Sequence, residues 1–158
     1  MNAKRTLTTA ALSLSLIAAA GLGLTRAQGN ATPSAVGTWK VMVTDPHAPA
    51  PFPVMISLHA DGTLSETELD SETMALSVSL GVWTADKGGQ LTVTFTSLAH
   101  DPQKKEVGYA TIMGAATLSS DGTTFAGTSH GQVSTLDGKV LNAWDGQTIR
   151  ATRVTVSQ

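Results

Sequence analysis

The feature that most constrains this chain is an apolar–polar alternation of period two, repeated from Val36 almost to the C-terminus and punctuated by glycine turns. Val36–Thr44 places Trp39, Val41 and Val43 on one face and Thr38, Lys40, Met42 and Thr44 on the other. Phe52, Val54, Ile56 and Leu58 alternate with Pro53, Met55, Ser57 and His59. Leu91, Val93 and Phe95 alternate with Thr92, Thr94 and Thr96. Asp61-Gly62 is a two-residue hairpin signal, and Asp121-Gly122, Asp137-Gly138 and Asp145-Gly146 divide the later part of the chain. No stretch has the length and period of a crossover helix, which excludes doubly wound α/β folds and the TIM barrel.

Eight or nine antiparallel strands in series leave two architectures. A Greek-key sandwich is one. An up-and-down barrel is the other, and turns of two to four residues favour it, because closure removes the open edges. Gly108, Gly114, Gly127 and Gly131 lie inside strand-like stretches, where strongly bent barrel strands take glycine. Glu106–Ser119 reads as one long strand, or two broken at Gly114, and the last strand runs from Gln147 to Val156. Thr63–Asp70 returns from the first Asp-Gly turn with Glu66, Glu68 and Asp70 on one face, which is expected to meet solvent. Ser71–Ser79 fits a loop with a helical turn or a strand equally well, and Ala99–Lys105 reads as a polar loop. Pro46, Pro49, Pro51 and Pro53 forbid a strand interior over Asp45–Pro53. The two long connections, Asp45–Pro53 and Ser71–Ser79, are expected at the open end as a lid over any lumen.

Residues 1–27 read as a secretory signal peptide. Lys4 and Arg5 precede an apolar run from Leu7 to Leu24, and Thr25-Arg26-Ala27 supplies small residues for cleavage. Residues 28–35 form a small, polar lead-in, and 36–158 a single domain. Removing the leader leaves seven basic and twelve acidic residues, a net charge of −5, which argues against nucleic acid or an anionic membrane surface as partner. No other apolar run is long enough to span a bilayer, so a secreted or periplasmic monomer is expected. The absence of cysteine excludes disulfides, thiolate metal sites and thiol nucleophiles.

Several short motifs, in order, resemble the lipocalin and wider calycin barrels. Gly37-Thr38-Trp39 is similar to their opening Gly-x-Trp, whose indole plugs the barrel base under an Arg from the last strand. The resemblance implies Arg153 for that role, with Arg150 as the competitor. Leu58–Thr63, Gly81-Val82-Trp83 and Asp121–Thr128 resemble the turn, the second Gly-x-Trp strand and the late Asp-Gly-x-x-Phe-x-Gly-Thr of small exported bacterial lipocalin-like proteins. The likeness spans most of residues 36–156 and implies a fold more than an activity.

The residues point to binding rather than catalysis. Ser129 and His130 are adjacent, so on a strand they face opposite ways and make no catalytic pair. His47, His59, His100 and His130 show no metal-ligand spacing. Calcium on the run Glu66, Glu68, Asp70 and Glu72 would have no loop to fold around it. No cofactor is expected, haem on His130 being the one option by likeness to nitrobindin-like barrels. An eight-stranded barrel holds packed side chains or one small ligand. Trp83, Phe95, Tyr109, Met113, Phe125 and His130 are the expected lumen lining for an apolar or amphipathic molecule. The alternatives are a cyclase- or dehydratase-type barrel enzyme and a structural envelope protein with a filled core.

Overall fold

A computed structural model describes residues 34–69, 76–100 and 106–157, and in them strand and turn alternate eight times. The strands are β1 (Gly37–Thr44), β2 (Phe52–Leu58), β3 (Thr63–Leu69), β4 (Leu76–Ala85), β5 (Gln90–His100), β6 (Glu106–Leu118), β7 (Thr124–Thr135) and β8 (Val140–Arg153). Each pairs antiparallel with its neighbour in sequence, and β8 closes on β1 with Trp39 opposite Arg153. The protein is therefore a closed eight-stranded up-and-down barrel. The expected leader (1–27), the first part of the lead-in (28–33), Asp70, Glu72 and Met74 lie outside the described residues.

Local chemistry sets the turns. Gly62 has φ +84°, which lets the β2–β3 chain reverse. The Asp61 carboxylate accepts the Thr63 N–H at 2.9 Å and the Thr63 hydroxyl at 2.7 Å. The same device recurs between β6 and β7, where the Asp121 carboxylate accepts the Ser119 hydroxyl at 2.6 Å and the Thr123 N–H at 3.0 Å. These donors, Ser119 first, hold the Asp121 carboxyl down at about 2.

The ends of β2, β4, β6 and β8 meet at the closed end of the barrel. Trp39 fills it, with no solvent exposure. Its indole N–H donates to the Ala35 carbonyl at 3.0 Å, and its ring packs on Phe125 with centroids 4.8 Å apart. The Arg153 guanidinium lies 4.3 Å from the indole centroid and donates to the carbonyls of Gly122, Val36 and Ser34. Arg150 is exposed on the outer wall. A half-buried cation–π contact contributes on the order of 1 kcal/mol, and these hydrogen bonds tie both ends of the domain to one side chain. Leu58, Leu64, Leu91, Leu118 and Ala151 complete this packed base.

Of the two readings of Glu106–Ser119, the single strand holds, since β6 runs through Gly114. Two local expectations are corrected. Asp145-Gly146 does not end a strand. Ser129 faces Gln147 while Gly131 faces Trp144, so β8 spends one extra residue there, with Gly146 at φ +73°. It is a bulge within one fourteen-residue strand. Ala99 and His100 extend β5 by pairing with β6, instead of opening a loop.

Glu66 overturns a further expectation. The cross-strand rows run Trp39–Ile56–Glu66–Ser79 and Val41–Val54–Glu68–Ser77. Paired residues share a face, so the inward face of β1 and β2 continues onto Glu66 and Glu68. Glu66 is 4% exposed and turned into the barrel, not to solvent. The outward face of β4 carries Leu76, Val78, Leu80 and Val82, all exposed.

Candidate functional site

Above the packed base the barrel encloses a cavity of about 270 Å³. Its floor and one wall are apolar: Val41, Val43, Val54 and Ile56 from β1 and β2, Val93 and Phe95 from β5, Ile112 from β6 and Ile149 from β8. Ser97 on β5 and two polar groups interrupt this lining. Glu66, Glu68, Ser77 and Ser79 come from β3 and β4, and Ser129 and Gln147 from β7 and β8.

The β7–β8 group is a relay. The Ser129 hydroxyl donates to the Gln147 side-chain Oε1 at 3.0 Å, and the Gln147 side-chain Nε2 donates to the Asp45 carboxylate at 2.7 Å. Asp45 also accepts the His47 N–H at 2.7 Å. The Gln147 bond first, then the His47 bond, holds the Asp45 carboxyl below its ordinary value. Asp45 opens the proline-rich β1–β2 connection, so this relay links the lumen wall to the barrel rim. The antiparallel order puts the β1–β2 and β3–β4 connections at that same end. Of the two connections expected to form a lid, Asp45–Pro53 and Ser71–Ser79, the first joins β1 to β2 but gives up Phe52 and Pro53 to β2; of the second, Leu76–Ser79 belong to β4 and residues 71–75 lie outside the described residues.

The β3–β4 group is centred on Glu66. Burial dominates its titration and pushes the carboxyl up to about 7. The Ser79 hydrogen bond opposes that shift, and the nearby Glu68 charge adds to it. Near neutral pH this carboxyl exists in both forms. It can accept hydrogen bonds and pair with a cation, or donate a proton.

The structure distributes the expected lumen residues over three places. Phe95 lines the cavity. Phe125 and Trp83 pack against the core around the base, and the Trp83 indole N–H donates to the His59 carbonyl at 2.9 Å. Tyr109, Met113 and His130 sit on the outer wall, because inward positions of β6 and β7 are the alternate residues Ala110, Ile112, Ser129 and Gly131. Met113 pairs with His130, and both border an open groove beside Asp45 and Asp145. His130 is exposed there and does not face the lumen, so it does not suit a haem held inside the barrel. Among the described residues, no three His, Asp or Glu side chains gather as a metal site requires.

The residues that sequence reasoning missed are Glu66, Ser79, Gln147 and Trp144. The signal for Glu66 was available: Asp61-Gly62 makes a tight hairpin, and carrying the register across it from Leu58 to Leu64 puts Glu66 opposite Ile56. Trp144 carried no such signal. The β8 bulge turns it toward Gly131, where any Cβ would collide with its ring, so the glycine leaves the space that the indole occupies. Trp144 lines the lumen on one side and the outer groove on the other.

No protein-family model, no curated protein and no solved structure matches this chain. The closed antiparallel barrel is compatible with a lipocalin-like fold.

Proposed function

We propose that this protein is an exported, lipocalin-like carrier that binds one small amphipathic molecule in the barrel lumen. The observation that carries the reading is the cavity of about 270 Å³, apolar over most of its surface and supplied with a buried carboxylate. Ligand sites combine such apolar walls with a few polar groups that fix orientation, and their volumes begin at roughly 300 Å³. The packed base supports a carrier as well, since Trp39 and Arg153 close one end and leave the other for entry. The charged–apolar–small order of residues 1–27 supports export, and the Gly-x-Trp opening with Arg153 over Trp39 supports kinship with the calycins.

A barrel enzyme is the second reading, and Glu66 is the observation that favours it. A carboxyl poised near 7 is matched to general acid–base work at neutral pH. Binding is preferred because most of the lumen surface is apolar, which suits holding a hydrocarbon body.

Native mass spectrometry of the protein purified gently from its own culture separates these readings. A reproducible mass excess that disappears on denaturation is expected for the carrier, on a polypeptide that begins at Gln28. A bare mass from every preparation, together with no uptake of added apolar molecules, would overturn it.

A further inference from the structure

We infer that the lumen ligand is a small apolar amine, whose ammonium group pairs with Glu66 while its hydrocarbon body lies against Val54, Ile56, Val93 and Phe95. This rests on the lumen-binding reading above and names the ligand class for that site.

The argument starts from charge. Glu66 and Glu68 line the cavity, and none of the described residues lining it is Lys, Arg or His. An anionic ligand would bring a negative charge beside Glu66 without a cation to meet it, in a place where burial already penalises charge. A neutral ligand would leave the ionised carboxylate to the Ser79 hydroxyl alone among the partners that bear on its titration. A cation supplies what none of the described lining residues gives this buried carboxylate, a partner of opposite charge within the same low-dielectric space. The remaining polar lining fits the same end group. Ser77 and Ser79 stand on β4 beside Glu66 and Glu68 in register, so an ammonium placed there has hydroxyl oxygens for its other N–H bonds.

The apolar lining defines the rest of the molecule. Val54 and Ile56 flank Glu66 on β2, and Val93 and Phe95 face it from β5. The cavity is small, which suits one ring or a short chain and excludes a long acyl tail. Titration adds a signature. No other titratable group faces Glu66 from the described inner positions of β2, β4 or β5, which are Val54, Ile56, Ser77, Ser79, Val93, Phe95 and Ser97. Among the described residues, the titratable groups nearby are Glu68 on its own strand and Asp45, held by Gln147 at the rim. Pairing with an ammonium draws the Glu66 carboxyl into its ionised form. Amine binding should therefore release a proton near pH 7 and tighten by about tenfold between pH 6 and pH 8.

The test is calorimetric titration of the purified protein with three molecules that share one ring: benzylamine, benzyl alcohol and benzoate. Benzylamine is expected to bind at least tenfold more tightly than benzyl alcohol, and benzoate most weakly. E66Q is expected to bring benzylamine down to the level of benzyl alcohol while leaving benzyl alcohol within threefold of its original affinity. Equal affinity for amine and alcohol, or benzoate as the tightest, would overturn the amine assignment and leave lumen binding intact. An amine preference that survives in E66Q would overturn the role of Glu66. Failure of all three at millimolar concentration would remove both the amine and the carrier. The ranking is measured first on the unsubstituted protein, so it decides even where E66Q folds poorly.

Discussion

The hairpin β1–β2 and the hairpin β3–β4 share one strand geometry and bury opposite chemistry. In β1–β2 the inward residues are Trp39, Val41, Val43, Val54, Ile56 and Leu58, and the outward ones include Lys40, Thr44 and Met55. In β3–β4 the inward row above Leu64 is Glu66, Glu68, Ser77 and Ser79, and the outward face shows Leu69, Leu76, Val78, Leu80 and Val82. The first wall builds the core, as a half-buried sheet ordinarily does. The second is inverted, and stability alone does not account for that. Burying a carboxyl opposes folding, and leaving a row of aliphatic side chains in solvent forgoes the stabilisation their burial would give. Such local conflicts concentrate where a protein does its work. The contrast marks β1–β2 as the wall that holds the barrel and β3–β4 as the wall that would meet the proposed ligand.

The largest effect is expected on the first wall. Trp39→Ala empties the base beneath Phe125 and Arg153, and should cost about 3–5 kcal/mol of unfolding free energy. Chemical denaturation checks this; a loss under 1 kcal/mol would mean that the base is not the anchor.

Glu66 on the second wall should give an effect of opposite sign. Its carboxyl titrates at about 7 in the fold against 4.5 in an unfolded chain, so the folded state retains a proton that the unfolded state gives up. Stability contributed by the protonated form is complete below pH 4.5 and declines as pH rises to about 7. The difference amounts to about 3 kcal/mol in total. E66Q should abolish this slope and unfold at higher temperature than the parent at pH 8. Scanning calorimetry between pH 4 and pH 8 reads both. A parent whose stability is flat over that range would show that Glu66 is not desolvated.

The smallest effect belongs to the outward aliphatic row. Leu80→Lys and Val78→Lys should shift stability by less than about 0.5 kcal/mol, because both side chains stand in solvent. Ile56→Lys, at a buried position of the first wall, should prevent folding. Circular dichroism with thermal melts compares the three, and a severe loss from Leu80→Lys would erase the distinction between the walls.

Most of the barrel was legible along the chain, for a local reason. Period-two alternation, Asp-Gly turns and the absence of a crossover helix are properties of neighbours in sequence, and together they leave only antiparallel strands in series. The charge balance and the missing cysteines were equally direct. The parity of β3 was legible too, but only by carrying register through the hairpin at Gly62. Judging Glu66 and Glu68 by residue type alone put them in water.

Other features required closure of the barrel in three dimensions. Which of Trp83, Phe95 and Phe125 lines the cavity and which packs around the base depends on height along the barrel, which no single strand records. Tyr109, Met113 and His130 fall outside because β6 and β7 take their parity from pairing around the whole ring. Trp144 reaches the lumen through one extra residue in β8 and the space left by Gly131. The Glu66 carboxyl is pushed up because closure removes water from around it, an effect of the walls opposite rather than of its own strand. Local pattern settles which residues make strands. The burial that gives a carboxylate its chemistry exists only once the sheet has closed around it.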